Sequence, residues 1–184
     1  MRDVDKRARA TRRVFLRGAA ATAPAAAVGS AGLLAADAAW AQRAANLKAG
    51  TMVTLAKLAR DIFPHDRVPD RFYVAAVWPY DSKAGPDTAL RAMLEEGVAK
   101  LDAAAEAKWG VRGGFVALNW ERDRLPLIEA ITGTPFFQKL RSDLVVSFYN
   151  QKDLWPRFGY EGSSWEHGGY LERGFNDIDW LPQA

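Results

Sequence analysis

The sequence predicts a mainly α protein: a small bundle of four or five helices followed by an irregular C-terminal tail rich in aromatic residues and glycine. Three observations support this fold class. Apolar residues recur at helical spacing in several segments, runs with the period of a β-strand are scarce, and proline or glycine stands where the helical patterns end. These patterns divide the chain into a leader (1–41), a helical domain (42–151) and the tail (152–184).

The leader has the composition of an export peptide, with a basic start and an apolar, alanine-rich middle. Its basic part contains the stretch TRRVFLR, which resembles a bacterial twin-arginine signal. This pathway carries proteins that are already folded. The residues that we assign to the signal are Thr11, Arg12, Arg13, Phe15, Leu16 and Arg17.

The end of the leader offers two sites with small residues at the positions that a leader peptidase requires. Ala39 and Ala41 flank Trp40, which predicts cleavage before Gln42. The sequence Ala-Asp-Ala at 36–38 is a second possible site. The run has the length of a membrane span, but its alanines and glycines give it little hydrophobicity, which argues against an uncleaved anchor.

Charge argues against nucleic-acid binding once the leader is set aside. The whole chain has 25 basic and 22 acidic residues, a net charge of +3. Residues 1–41 hold 7 of the basic and 3 of the acidic residues, so the remainder has 18 and 19, a net charge of −1. The chain has no cysteine, which excludes disulfides, cysteine-ligated clusters and thioether-attached haem.

The first helix is predicted over 51–63, where apolar residues fall on one face and Lys57, Arg60 and Asp61 lie largely away from it. Residues 71–77 are either a short helix or an extended piece, and 81–86 read as a polar turn. The longest helix is predicted over 86–109, with a buried stripe formed by Leu90, Leu94, Val98, Leu101 and Ala105.

Two further helices are predicted around a Gly-Thr-Pro junction. The first covers 121–132, and Gly133 ends it. Thr134 and Pro135 then form an N-cap followed by proline at the first helical position. In the second helix, one face is lined by Phe137, Leu140, Leu144 and Phe148.

The tail is the most informative part of the chain after the leader. It contains many large aromatic residues among five glycines, a composition unlike that of a disordered segment. Three interpretations remain open: a sugar-binding platform, a segment that covers the core, and a protein–protein surface, where such residues serve as anchors. The candidate partner-binding residues are Trp155, Phe158, Tyr160, Trp165, Tyr170, Phe175 and Trp180.

Motifs that carry chemistry are absent from the sequence. The two histidines, His65 and His167, lie in predicted loops without a second ligand at recognisable spacing. Asp177 and Asp179 resemble part of a calcium loop but lack its glycine and distal glutamate. We therefore predict no catalytic, cofactor-binding or metal-binding residue in this chain.

Several segments together resemble the gluconate 2-dehydrogenase subunit 3 family. They are ARDIFPHD at the end of the first helix, GTPFFQKLRSDLVVSFYN, WPRFGYEG and GGYLERGFNDIDWLP, in addition to the twin-arginine leader. These family members are small subunits of membrane-associated bacterial FAD-dependent sugar and polyol dehydrogenases. The resemblance covers most of the chain after the leader, and its motifs are packing patterns without a catalytic signature.

The resemblance implies a complex with a GMC-type large subunit that holds FAD, and with a c-type cytochrome that carries haem. It also implies a periplasmic location at the outer face of the inner membrane, with membrane association only through the complex. The small subunit would assist maturation of the flavoprotein and, through the Tat translocase, its export. The residues alone leave two alternatives: a free-standing carbohydrate-binding module, and an enzyme that uses a histidine as its base.

Overall fold

The computed structural model describes residues 38–172, and this part of the chain contains six α-helices and no β-strand. The predicted mainly α fold class is therefore confirmed. The helices are α1 (Ala49–Ile62), α2 (Asp70–Val77), α3 (Pro79–Ala84), α4 (Thr88–Trp109), α5 (Glu121–Ile131) and α6 (Pro135–Tyr149). Short 3-10 helices lie at Ala41–Arg43, Phe115–Ala117, Lys152–Phe158 and Ser164–His167.

Helix α1 lies at the centre of the bundle, where it packs against α2, α4 and α6. Its apolar residues do not form a single stripe: Met52, Val53, Leu55 and Leu58 are all fully buried. A helix that is apolar on most sides is expected to be enclosed by its neighbours rather than to lie at the surface. The surrounding helices bury it accordingly.

The prediction for Asp61 was wrong. Helical spacing places it on the polar side of α1, but its side chain is buried and paired with Arg124 of α5. Arg124 donates from Nε and Nη2 to the two carboxylate oxygens at 2.6 and 2.7 Å. Such a bidentate pair joins α1 to a helix that lies 63 residues further along the chain.

Lys57 stands one turn before Asp61 and also turns inward. Its Nζ donates to the backbone carbonyls of Val116 and Leu118 at 2.7 and 3.0 Å. Burial, and next the positive charge of Arg124, lower the pKa of Lys57 to about 8, although Asp61 opposes the shift. The two basic side chains thus hold the loop between α4 and α5, since Arg124 also donates to the Leu118 carbonyl at 2.8 Å.

The polar turn predicted over 81–86 is instead largely helical. Pro79 begins α3 at the position where proline costs no hydrogen bond, and Tyr80 is buried. Asp81 is buried as well. Its carboxylate remains hydrogen-bonded there, because it accepts from the backbone N–H groups of residues 45–47. The preceding segment, 71–77, is helical too, which settles the ambiguity of its pattern.

The long helix and its stripe agree with the prediction. The five residues of the predicted stripe are those that α4 buries, and Asp87 caps the helix by accepting from the Leu90 N–H at 2.8 Å. At Gly97 the Phe136 ring of α6 packs directly onto the helix backbone, where a Cβ would overlap the ring. Glycine is therefore required for α4 and α6 to approach this closely.

Helix α6 also begins as predicted, with the Thr134 hydroxyl accepting from the Phe137 N–H at 3.2 Å. Its predicted apolar face is buried, and Phe136 is buried beside it. The last two turns of this helix present a second face to solvent, on which Val145 and Val146 are exposed. Helix α6 therefore contributes both to the core and to the surface.

Candidate partner-binding groove

The chain folds back on α6 immediately after the helix ends. Leu154, in the 3-10 helix Lys152–Phe158, is fully buried and anchors this segment in the core. The Trp155 indole Nε1 donates to the Tyr149 carbonyl at 2.8 Å, and the Gln151 amide donates to the Phe72 carbonyl at 2.9 Å. These contacts fix the start of the tail against the C-terminal end of α6 and against α2.

An open groove lies between α6 and this returning segment, with a volume of about 700 Å³. We call it the aromatic groove. It is lined by Val145, Val146, Tyr149, Asn150, Trp155, Phe158, Tyr160 and Ser163. Val146 is 63% exposed, and Val145, Phe158 and Tyr160 are exposed to a similar degree. Contiguous apolar surface of this kind, bordered by polar residues, is a feature of many binding sites.

His65 supports the groove from behind. Its ring stacks on Phe148 and meets Phe158 at an angle, with centroid separations of 5.7 and 5.0 Å. Its Nε2 lies 2.8 Å from the Tyr149 hydroxyl, within hydrogen-bond distance. Burial, and next the Arg60 charge, lower the pKa of His65, so the neutral ring is favoured. His65 therefore positions Tyr149 and Phe158 at the groove.

A glycine sets the turn that brings Tyr160 into the groove. Gly159 ends the 3-10 helix with φ of 70°, a conformation that other residues adopt rarely. The Tyr160 N–H then donates to the Trp155 carbonyl at 3.0 Å, and the two rings meet edge to face with centroids 5.1 Å apart. Trp155 and Tyr160 thus form one wall of the groove as a pair.

Three of the seven aromatic residues predicted to bind a partner come together here: Trp155, Phe158 and Tyr160. Trp165 and Tyr170 are exposed, Trp165 to 89%, but they are not among the residues that line the groove. Phe175 and Trp180 lie outside the described residues. The first part of the predicted set thus contributes one wall of the groove.

Sequence reasoning missed the other wall of the groove. Val145 and Val146 directly follow the buried Leu144, so they lie off the apolar face of α6. Two adjacent apolar residues outside a helical stripe are a signal that could have indicated an additional exposed face. The position of His65 behind the groove could not be predicted from helical spacing, because it depends on a contact with Tyr149, 84 residues further along the chain.

The two histidine candidates lie in different segments of the described part of the chain. No group of three or more metal-ligating side chains occurs within residues 38–172. His65 is engaged by aromatic rings, and His167 lies in the separate 3-10 helix Ser164–His167. Asp177 and Asp179 lie outside the range. No helix in it is both long and apolar enough to cross a membrane.

The structure describes the predicted cleavage residues but not the predicted signal residues. The signal residues Thr11, Arg12, Arg13, Phe15, Leu16 and Arg17 lie outside the part of the chain that the structure describes. Of the predicted cleavage residues, Ala39 and Gln42 are exposed, whereas Ala41 is buried. One residue of the predicted cleavage site, Ala41, is therefore packed in the helical domain.

Comparison of the chain with protein-family models, with curated proteins and with solved structures gives no match. The family resemblance therefore rests on the sequence segments that carry it, and the groove rests on its geometry.

Proposed function

We propose that this chain is a non-catalytic small subunit of a periplasmic FAD-dependent sugar or alcohol dehydrogenase, which assists maturation and twin-arginine export of the flavoprotein large subunit. The observation that carries the proposal is the aromatic groove, an exposed apolar surface built on a helical domain. A c-type cytochrome would be the third component of the complex. FAD and haem belong to the partners, and this chain binds neither.

The groove supports a protein partner because its walls are fixed before binding. Leu154 anchors one wall in the core, and α6 forms the other. Ordering flexible side chains and loops reduces affinity, so a surface that is already ordered loses less free energy on association. Aromatic side chains in such a position are the usual anchors of protein interfaces.

The leader supports the export part of the proposal. A twin-arginine signal carries folded cargo, yet the sequence contains no cofactor-binding motif that would explain why this route is used. A folded partner that has no leader of its own would explain it, because the small subunit then supplies the address. The reading frames beside the gene should accordingly include a large protein with a dinucleotide-binding glycine motif and no leader.

Export can be tested by co-expressing this chain with that large protein and changing Arg12 and Arg13 to lysine together. We expect flavoprotein to accumulate in the cytoplasm and to disappear from the periplasm, with the total amount per cell unchanged. Flavoprotein that still reaches the periplasm would contradict the escort function.

The groove can be tested by Val146→Asp, which puts a charge on an exposed side chain of its lining without changing a buried residue. We expect the large subunit to bind at least about 10-fold more weakly, in keeping with the roughly 2 kcal/mol that interface hot spots contribute. Trp120→Ala is the matched control, because Trp120 is similarly exposed but does not line the groove. Equal affinity of the two variants would remove the groove from the interface.

One observation favours the carbohydrate-binding alternative: Trp165 exposes almost its entire ring. A free-standing module would give a saturable change in tryptophan fluorescence when the purified protein is titrated with sugars. Loss of that change in Trp165→Ala would support the alternative, and its absence in the unchanged protein would exclude it.

A further inference from the structure

A second, smaller cavity lies on α6 next to the aromatic groove, with a volume of about 280 Å³. We call it the polar pocket. It lies between α6 and the two short helices α2 and α3, and it is lined by Ala76, Pro79, Tyr80, Lys83, Ser142, Asp143, Val146 and Ser147. Val146 also lines the aromatic groove, so the two cavities adjoin at this side chain.

The two cavities differ in charge. None of the eight described residues that line the aromatic groove is charged, whereas Lys83 of α3 and Asp143 of α6 line the polar pocket. The Asp143 charge is already compensated, because Lys139 donates to its two carboxylate oxygens at 2.9 and 2.8 Å. The Tyr80 hydroxyl donates to the same carboxylate at 3.0 Å. Burial, and next the Asp143 charge, raise the pKa of Tyr80, so this hydroxyl stays protonated.

Two hydrogen-bond donors of the polar pocket are unused. Among the described residues, the Lys83 ammonium has no hydrogen-bond or ion-pair partner, and the buried Ser147 hydroxyl has no hydrogen-bond partner. A buried hydroxyl without a partner costs free energy, and such groups are few in native proteins. The Ser142 hydroxyl, in contrast, donates to the Lys139 carbonyl at 3.0 Å. The pocket therefore has unused donors and an uncompensated positive charge, which together fit an anionic acceptor.

We propose that the polar pocket binds a carboxylate of the protein that occupies the aromatic groove: an aspartate or glutamate side chain that lies beside the apolar residues held in the groove. The carboxylate accepts from Lys83 Nζ and from Ser147 Oγ. A carboxylate fits better than a phosphate, because the second negative charge of a phosphate would be repelled by Asp143 of the same pocket. This inference rests on the proposed function and names the chemistry that the large subunit presents.

The two cavities would then act differently on the same partner. Apolar contacts in the groove are not directional, so they favour association without fixing how the partner lies. A charge pair at one end of the groove favours a single orientation and disfavours partners that place a positive charge there. Because Val146 separates the two cavities, the acidic residue of the partner should lie close to its apolar anchor.

The charge is tested by Lys83→Gln, with Arg91→Gln as the matched control. Arg91 is also exposed and has the same charge, but it lies on α4 and lines neither cavity. We expect Lys83→Gln to bind the large subunit about 5-fold more weakly than Arg91→Gln does. The affinity of the unchanged protein should also fall as salt rises from about 0.05 to 0.5 M, and Lys83→Gln should flatten this dependence. Equal affinities of the two variants, or an unchanged salt dependence in Lys83→Gln, would overturn the proposal.

The hydroxyl is tested by Ser147→Ala, with Ser142→Ala as the control, because the Ser142 hydroxyl is already bonded to a carbonyl. We expect Ser147→Ala to weaken binding about 3-fold, as loss of one hydrogen bond would, and Ser142→Ala to leave it unchanged. The thermal stability of the free Ser147→Ala protein should not fall, since the variant removes a hydroxyl that has no partner. Equal affinities of the two serine variants would exclude Ser147 from the site and overturn the two-donor arrangement.

Failure of this inference is distinguishable from failure of the proposed function. A large subunit that does not bind the unchanged chain would overturn the proposed function and this inference with it. Binding that is weakened in Val146→Asp but fully kept in Lys83→Gln and Ser147→Ala would overturn the polar pocket alone and leave the groove as the interface.

Discussion

The contact between α1 and α5 and the aromatic groove distribute polar and apolar groups in opposite ways. Between α1 and α5, a carboxylate and a guanidinium lie inside the protein, and their hydrogen bonds go to one another and to a backbone carbonyl. At the groove, valine and aromatic side chains stand in water. The first region is complete within this chain, whereas the second leaves apolar surface that a partner could cover.

The ion pair between α1 and α5 should therefore matter for stability, and the exposed groove for the binding of a partner. A buried ion pair becomes a large liability when one member is removed, because the other is left charged and desolvated. Exposed side chains of the groove contribute little to folding, because they change their environment little when the chain unfolds. Substitutions in the two regions should therefore act on different measurements.

The largest effect on stability is expected from Arg124→Ala. It strands the Asp61 carboxylate in the interior and should lower the free energy of unfolding by about 3–5 kcal/mol, measured by chemical denaturation. Arg122→Ala is the control, since that side chain is exposed and should change stability by no more than about 0.5 kcal/mol. Comparable losses in the two variants would show that the buried pair has no special role.

A double variant sharpens this result. Asp61→Leu combined with Arg124→Met removes both charges and fills similar volume, so stability should return close to that of the unchanged protein or exceed it. A double variant as unstable as Arg124→Ala would assign the loss to packing rather than to the unpaired charge.

The next largest effect is expected from Gly97→Ala in α4. The new methyl group overlaps the Phe136 ring, so α4 and α6 must separate, which should cost about 1–3 kcal/mol in thermal or chemical unfolding. Gly50→Ala in α1 is the matched control, because nothing lies within 4 Å of its added methyl and stability should be unchanged or slightly higher. A stable Gly97→Ala protein would contradict the close helix contact.

The third prediction concerns pH and Lys57. Its pKa is about 8 in the folded protein, below the ordinary value of 10.5, so between these pH values the unfolded chain binds more protons. The free energy of unfolding should therefore rise with pH over this interval. Above about pH 10 the trend should reverse, because burial raises the pKa of Tyr73 to about 12 and the unfolded chain loses that proton first. Lys57→Met should abolish the rise.

The smallest effect on stability is expected in the groove. Val146→Asp should lower the free energy of unfolding by about 1 kcal/mol or less, a cost that comes from placing a negative charge in the last turn of α6, three residues after Asp143. Leu144→Ala, two residues earlier in α6 and fully buried, should cost about 2–5 kcal/mol. A large loss of stability in Val146→Asp would mean that the groove is part of the folding core.

Local signals were enough to predict most helices. The stripe of α4 and the Thr134 cap of α6 depend on residues within a few positions of one another, and both are confirmed. Asp61 and the segment that became α3 were misread because their partners are distant: Arg124 is 63 residues away, and residues 45–47 lie some 35 residues before Asp81. A polar residue in a sequence does not indicate whether a charged side chain or a backbone N–H from a distant segment will be buried beside it as its partner.

The groove could be predicted only in part from the sequence. Its aromatic wall is visible as composition, because large rings and glycines cluster after residue 152. Its second wall, Val145 and Val146, and its support from His65 arise only when α6, the loop before α2 and the tail meet. The sequence therefore indicates a class of surface, and packing decides which residues belong to it.

The contact between Gly97 and Phe136 has a consequence for the evolution of this fold. Because the ring occupies the place of a Cβ at position 97, neither residue can change freely while the other is kept. Relatives that carry alanine or serine at position 97 should have a smaller side chain at 136, and those that keep the aromatic ring should keep glycine. The two positions should therefore covary across an alignment of relatives.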